Sequence, residues 1–209
     1  ITLALGNGAQ LSTNNSIIGE NTNNAGLHPE LQSGRASLTG ASTWNAGNLT
    51  IGSYGDGVID IAGGSTITAS TLSMGNLGPT IPEASSGVLN ISGNGSKLTV
   101  TSTSTSIGSS GNGTVLVQNQ GKLVTSSAGL GVHAPAMGTV TITGAGSAWD
   151  VTGNGTVNVG GQGSGTLNVQ NGATFSSGTG KINVANSGAS GTGTLLVEGP
   201  GSKMTAGQV

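Results

Sequence analysis

Chemistry has few side chains to draw on in this sequence: two His, seven carboxylates, five Lys or Arg and no Cys among 209 residues. A hydrolase needs a nucleophile, a base within hydrogen-bond reach and a group that orients the base. No G-x-S-x-G elbow is present, and His28 and His133 stand far apart with no pair of acids common to both. Cleavage of an acidic polysaccharide would call for clustered Asp or Lys/Arg on one face. Lys97 and Lys203 recur at equivalent positions of an internal repeat, but Arg35, Lys122 and Lys181 are scattered. Without Cys there is no disulfide or thiolate metal site, and so few His and acids make a dense metal cluster hard to assemble. The chain is therefore expected to be no enzyme, with no catalytic residue, no metal and no cofactor.

Three weaker signals have plainer readings. Trp44 and Trp149 could stack on sugar rings, but both fall on a repeat position otherwise held by Leu, Ile, Val, Phe and Met, so core packing is expected. The segment GSYGDGVIDI carries the Gly/Asp spacing of calcium-binding nonapeptide turns, which work only in tandem copies that share each ion. Asp56 and Asp60 are replaced by Asn112 and Leu116 in the next odd unit, so no tandem exists. The N-x-S/T triplets at Asn48, Asn90, Asn94, Asn112 and Asn154 read mostly as turn residues followed by strand formers.

The elements that would position these residues are repeated. The stretch from Gly138 reads GTVTITGAGSAWDVTGNGTVNVGGQGS, and the stretch from Gly165 reads GTLNVQNGATFSSGTGKINVANSGASG. Each holds three bursts of alternating apolar and polar residues separated by Gly, Asn and Ser, the pattern of three half-buried strands and three turns. A unit of roughly 27 residues cannot bury its own apolar face and must stack on copies of itself. A Gly (once Ala) followed three positions later by a large apolar residue selects the anchors Leu11, Trp44, Ile67, Leu98, Val124, Trp149, Phe175 and Met204. The strand before each anchor ends on Leu5, Leu38, Ile61, Ile91, Val117, Ile142, Val169 and Val197. The spacing predicts eight rungs near residues 1–33, 34–56, 57–86, 87–112, 113–137, 138–164, 165–192 and 193–209. The fold class expected is all-β, a parallel β-helix with about eight three-strand rungs and almost no helix. The last rung stops in mid-unit, so the chain is expected to be a fragment of a longer protein whose bare ends stack head to tail.

Composition narrows the function. Gly is 41 of 209 residues, charged residues are 6% and aromatics 2%, against about 7% Gly and about 25% charge in an ordinary domain. Apolar residues at 33% with a net charge of -2 argue for order rather than disorder. No apolar run approaches the length of a membrane span, so no direct membrane insertion by this stretch is expected. Five scattered basic residues leave no electrostatic footprint for nucleic acid.

Odd and even units differ in their exits. The odd ones carry insertions, at Gly19 to Ser33, Gly75 to Ser86 and Val132 to Met137, while the even ones leave compactly. Both His, four of the five Pro and three of the seven acids fall in these odd exits. Insertions at equivalent corners of a solenoid emerge on one side, where they form binding faces. The candidate ligand-contact residues are His28, Pro29 and Glu30 in the first, Pro79, Pro82 and Glu83 in the second, and His133 and Pro135 in the third.

The runs GTVTITGAGSAWDVTG, TVNVGGQGSGTLNVQNGATF and GTLLVEGPGSKM resemble the repeats in passenger regions of bacterial autotransporters of the type V secretion class. The resemblance covers nearly the whole chain. It implies a right-handed parallel β-helix that crosses the periplasm and is displayed or released at the cell surface by a C-terminal barrel outside this stretch. Many such passengers are adhesins. The partner this implies is a host-cell or extracellular-matrix protein or glycan, or a second copy of the chain. A structural stalk or self-assembling filament is the alternative.

Overall fold

The computed structural model describes residues 1–20, 33–76, 85–185 and 191–209, and no helix occurs among them. The chain winds through three arms per tier. Strands of the first arm form a sheet of eight: Thr2–Leu5, Ser33–Leu38, Asp56–Ile61, Ser86–Ser92, Asn112–Gln118, Met137–Thr143, Ser164–Gln170 and Thr192–Glu198. Every pairing within it is parallel and in register. The second and third arms belong to one sheet of thirteen strands. They are continuous because Thr43–Ser53 and Thr66–Asn76 each run through the bend between the arms as a single 11-residue strand. Alternation of apolar and polar residues sends every second side chain inward, and the interior is one contiguous apolar cluster.

The result is a β-solenoid, as the periodicity predicts, with about six turns rather than eight. Eight strands do stack in the first arm, but the first and last have a neighbour on one side only. Their inward residues Leu3, Leu5 and Leu195 are accordingly only partly buried, whereas Leu38, Ile61, Ile91, Val117, Ile142 and Val169 are at most 1% exposed.

The predicted first-arm column runs unbroken from Leu5 to Val197. The anchor column of the second arm is Leu11, Trp44, Ile67, Leu98, Leu123, Trp149, Phe175 and Met204. It corrects one assignment. Val124 is a neighbour of Thr99 and Asp150 on the outward row, and the buried anchor is Leu123. The cause is local: the residue turning through positive φ before this anchor is Gln120 (φ 69), not the glycine after it. Gly121 instead packs inward, where a Cβ would lie 2.5 Å from the Ile91 carbonyl oxygen. The same one-residue shift misplaced Lys122, which stands beside Lys97 in the ladder rather than apart from it.

Both Trp side chains are core residues, Trp44 at 3% and Trp149 at 0% exposure. Each indole N–H is satisfied in the same way, by a Thr hydroxyl two positions after the anchor of the preceding tier. Trp44 Nε1 donates to Thr13 Oγ1 at 3.0 Å, and Trp149 Nε1 donates to Thr125 Oγ1 at 3.1 Å. Phe175 follows Trp149 one tier on and meets it edge to face, with ring centroids 5.1 Å apart and planes at 80°.

The register makes a measurable claim. Leu123→Ala should lower stability by about 2–5 kcal/mol and Trp149→Ala by about 3–5 kcal/mol, while Val124→Ala costs less than about 1 kcal/mol. Thr125→Val keeps the shape of the side chain but strands a buried indole N–H, at about 1–3 kcal/mol. Urea midpoints of the four variants check all of this; a large cost at Val124 with a small one at Leu123 would overturn the register.

Candidate functional site

The odd-unit exits leave from the corner between the third arm and the first arm of the next tier. In each third-arm strand the last inward apolar residue, Ile18, Ile51, Met74, Ile107, Leu130, Val159 or Val184, is followed by a residue that turns through positive φ. That residue is Gly at Gly19, Gly52, Gly75, Gly108, Gly131 and Gly160, and Ala185 in the seventh tier. The requirement is one of space as well as φ. At Gly131 a Cβ would lie 2.1 Å from the Ser164 carbonyl oxygen, two tiers on. A second glycine column faces the first, at Gly34, Gly57, Gly87, Gly113, Gly138, Gly165 and Gly193 inside the first-arm strands. At Gly138 a Cβ would meet the Ile107 carbonyl oxygen at 2.0 Å and the Gly131 nitrogen at 2.4 Å. Here backbone packs on backbone.

This column is the common base for every exit. The even exits, Gly52 to Asp56, Gly108 to Asn112 and Gly160 to Ser164, are all of one length. The odd exits leave from Gly19, Gly75, Gly131 and Ala185 on the same corner, two tiers apart, which is about 10 Å. The corner arrangement expected from the sequence is thus present at its base. His28, Pro29, Glu30, Pro79, Pro82 and Glu83 lie outside the described residues.

The fifth exit is described in full. Val132 N–H donates to the Gly108 carbonyl, Ala136 N–H to the His133 carbonyl, and Ser164 N–H to the Ala136 carbonyl, at 2.9, 2.7 and 2.9 Å. The segment is thereby tied to the exits on both sides. The His133 ring turns back, its Nδ1–H donating to the Ser109 carbonyl at 2.8 Å. Since a carbonyl can only accept, the ring presents Nε2 outward. The Ala134–Pro135 bond is cis, Ala136 is buried, and His133, Ala134, Pro135 and Met137 are exposed. An imidazole edge, a pyrrolidine ring and a thioether are therefore exposed on one exit whose backbone is tied to the stack.

Charged side chains elsewhere join the ladders. Asp56 Oδ1 accepts from the Ser86 backbone N–H and hydroxyl, and Asp60 Oδ1 accepts from Asn90 Nδ2 while Arg35 lies 2.5 Å from its other oxygen. Lys122 pairs with Asp150 at 2.6 Å. Of the five N-x-S/T asparagines, Asn48, Asn90 and Asn112 lie in strands, contrary to the turn placement expected, and Asn154 occupies a turn at φ 59.

A feature not anticipated from the sequence is a shallow cleft of about 560 Å³ on the outer face of the second arm. Its lining includes the outward pairs Gln10/Ser12, Thr43/Asn45 and Thr66/Thr68 from three successive tiers. The signal was available: these are the residues on either side of the anchors Leu11, Trp44 and Ile67.

The chain matches no protein-family model, no curated protein and no solved structure.

The two glycine columns hold the exits in place, and their cost of substitution is separable from φ alone. Gly138→Ala should destabilise by about 1–3 kcal/mol or more, through overpacking against backbone that cannot yield. Gly153→Ala sits at φ 66 with no atom within 4 Å of the added carbon and should cost only about 1–2 kcal/mol. Chemical denaturation of both variants orders them; a more damaging Gly153→Ala would remove the steric argument.

Proposed function

We propose that the chain is part of a bacterial surface solenoid of the autotransporter-passenger kind, acting as an adhesin through the loops of one corner. It binds a host-cell or matrix protein or glycan, and the loops, not the strands, make the contact. The observation that carries the reading is the stacking of the odd-exit bases Gly19, Gly75, Gly131 and Ala185 in one column at alternate tiers. Inward residues are committed to the core and the even exits are too short to shape a surface. Loops on a rigid rod are preorganised, so several weak contacts can sum to one extended site.

Cells displaying the chain would be compared with cells in which Gly19–Ser33, Gly75–Ser86 and Gly131–Met137 are each replaced by a five-residue even exit. The strand signal in circular dichroism should persist while adhesion to cells or matrix falls to background. Survival of adhesion through all three replacements would overturn the reading and favour a stalk that carries no ligand of its own.

A further inference from the structure

We infer that the cleft on the second arm is a binding site for a neutral oligosaccharide, distinct from the corner loops. Several outward Asn and Gln side chains on this solenoid bond to the tier beside them. Asn48 donates to Asn15 at 2.9 Å, Asn90 to Asp60 at 2.8 Å, Asn183 to Asn158 at 2.8 Å and Gln170 to Glu198 at 2.8 Å. In the cleft this pattern breaks. Gln10, Ser12, Thr43, Asn45, Thr66 and Thr68 make no side-chain hydrogen bond among the described residues, though parallel pairing places Gln10 beside Thr43 and Asn45 beside Thr68.

Six neutral side chains with unspent donors and acceptors therefore share one concave surface. Their spacing is set by the sheet, about 4.8 Å from tier to tier and about 6.6 Å between alternate residues of a strand. No carboxylate or ammonium lines the cleft. A charged ligand has no partner within the cleft itself, and a peptide could pair only with the outer edge of Gln10–Ser12, because the backbones of the other two tiers are bonded on both sides. What remains is a ligand rich in hydroxyls and without charge, each of whose groups can both give and accept. The cleft is open and lacks an exposed aromatic, since Trp44 beneath it is buried. Affinity is accordingly low, with a Kd on the order of 1 mM.

The position of Lys97 bears on selectivity. It follows Thr66 in the same outward column, one tier beyond the cleft. A uronic or sulfated chain could reach it, whereas a neutral chain would not need it.

The test is titration of the isotope-labelled chain with neutral tetrasaccharides of glucose, mannose, xylose and N-acetylglucosamine, alongside a uronic and a sulfated oligosaccharide, followed by amide shifts. At least one neutral sugar should give saturable shifts confined to the three tiers around Thr43, Asn45, Thr66 and Thr68. The double variant Thr66→Val/Thr68→Val keeps β-branched side chains, and hence the strand, and should bind roughly tenfold more weakly, the effect of losing one or two net hydrogen bonds. Asn45→Ala should act similarly, because Asn45 serves the fold through its backbone, which pairs with both neighbouring tiers and accepts from Thr13 N–H. Absence of saturable shifts with every neutral sugar, shifts centred on the His133 exit, unchanged affinity in the variants, or binding of the acidic sugars alone would each overturn the assignment. Loss of the corner loops should leave this binding intact, so its failure and that of adhesion are separately visible.

Discussion

Close approach of backbone to backbone at the corner between the third and first arms is the constraint on which the rest of the solenoid depends. Two glycine columns interlock there, and a methyl group on either would lie within about 2.0–2.5 Å of a neighbouring main-chain atom at Gly131 or Gly138. No rotamer change relieves such a contact, because the opposing atoms are carbonyls and amides held in the sheet ladders. The corner therefore locks the phase of each tier against the next. With the phase set, residues of equal position stack, and one turn's apolar choices become a continuous interior column.

In-register stacking also explains a composition that looks unsuited to a soluble fold. In a parallel stack every outward residue has its counterpart about 4.8 Å away, so a charge repeated in each unit would face its own like charge along the whole column. Neutral hydrogen-bonding side chains have no such penalty; Asn, Thr and Ser can donate to the tier below and accept from the tier above. The ladders from Asn15 to Asn48 to Thr71, and from Asn158 to Asn183, have that form. Where two like charges do adjoin, at Lys97 and Lys122, the second is drawn to Asp150 on the following tier. The low charge of the chain is a consequence of its repeat geometry, and the serines of the first corner show the same economy. Ser65, Ser96, Ser147 and Ser202 each accept a backbone N–H from the tier before.

Most of this was legible without coordinates because a repeat samples each structural position several times. Seven of eight anchors follow from one rule, since the residue three before the anchor is nearly always the one turning through positive φ. The exception at Leu123 shows what the rule stood for: Gln120 adopts that φ, and the glycine beside it serves a close contact instead. The intervening turn comes in two lengths, with adjacent positive-φ residues as at Asn171 and Gly172, or with one residue between them as at Gly144 and Gly146. Gly121 fits either reading by sequence alone. Glycine columns inside the first-arm strands were legible as repeated letters, but their role was not, because nothing in one tier reveals a contact with a backbone two tiers away. The cleft was hidden for a related reason. Threonine on an outward row is the commonest strand residue here, and whether it bonds to its neighbour or stands free is decided by side-chain geometry.

Rigidity then governs what either surface can do. A corner that carries exits of different lengths on a base that cannot shift is tolerant of sequence change where contact is made and intolerant where shape is set. The described exit illustrates both: the main chain of Val132, His133, Ala136 and Ser164 is held in the stack, while the side chains of His133, Pro135 and Met137 are exposed, and the imidazole bond to Ser109 is the one hydrogen bond among them. The outer face of the second arm works by the opposite means, offering a shallow array whose spacing is that of the sheet and whose affinity at any one place is small. Weak sites fixed along one rod gain from each other only when a ligand or a surface engages several at once, since the second contact is then made at high effective concentration. Affinity on such a scaffold is built from repetition, and the same stacking that forbids charge in the columns supplies it.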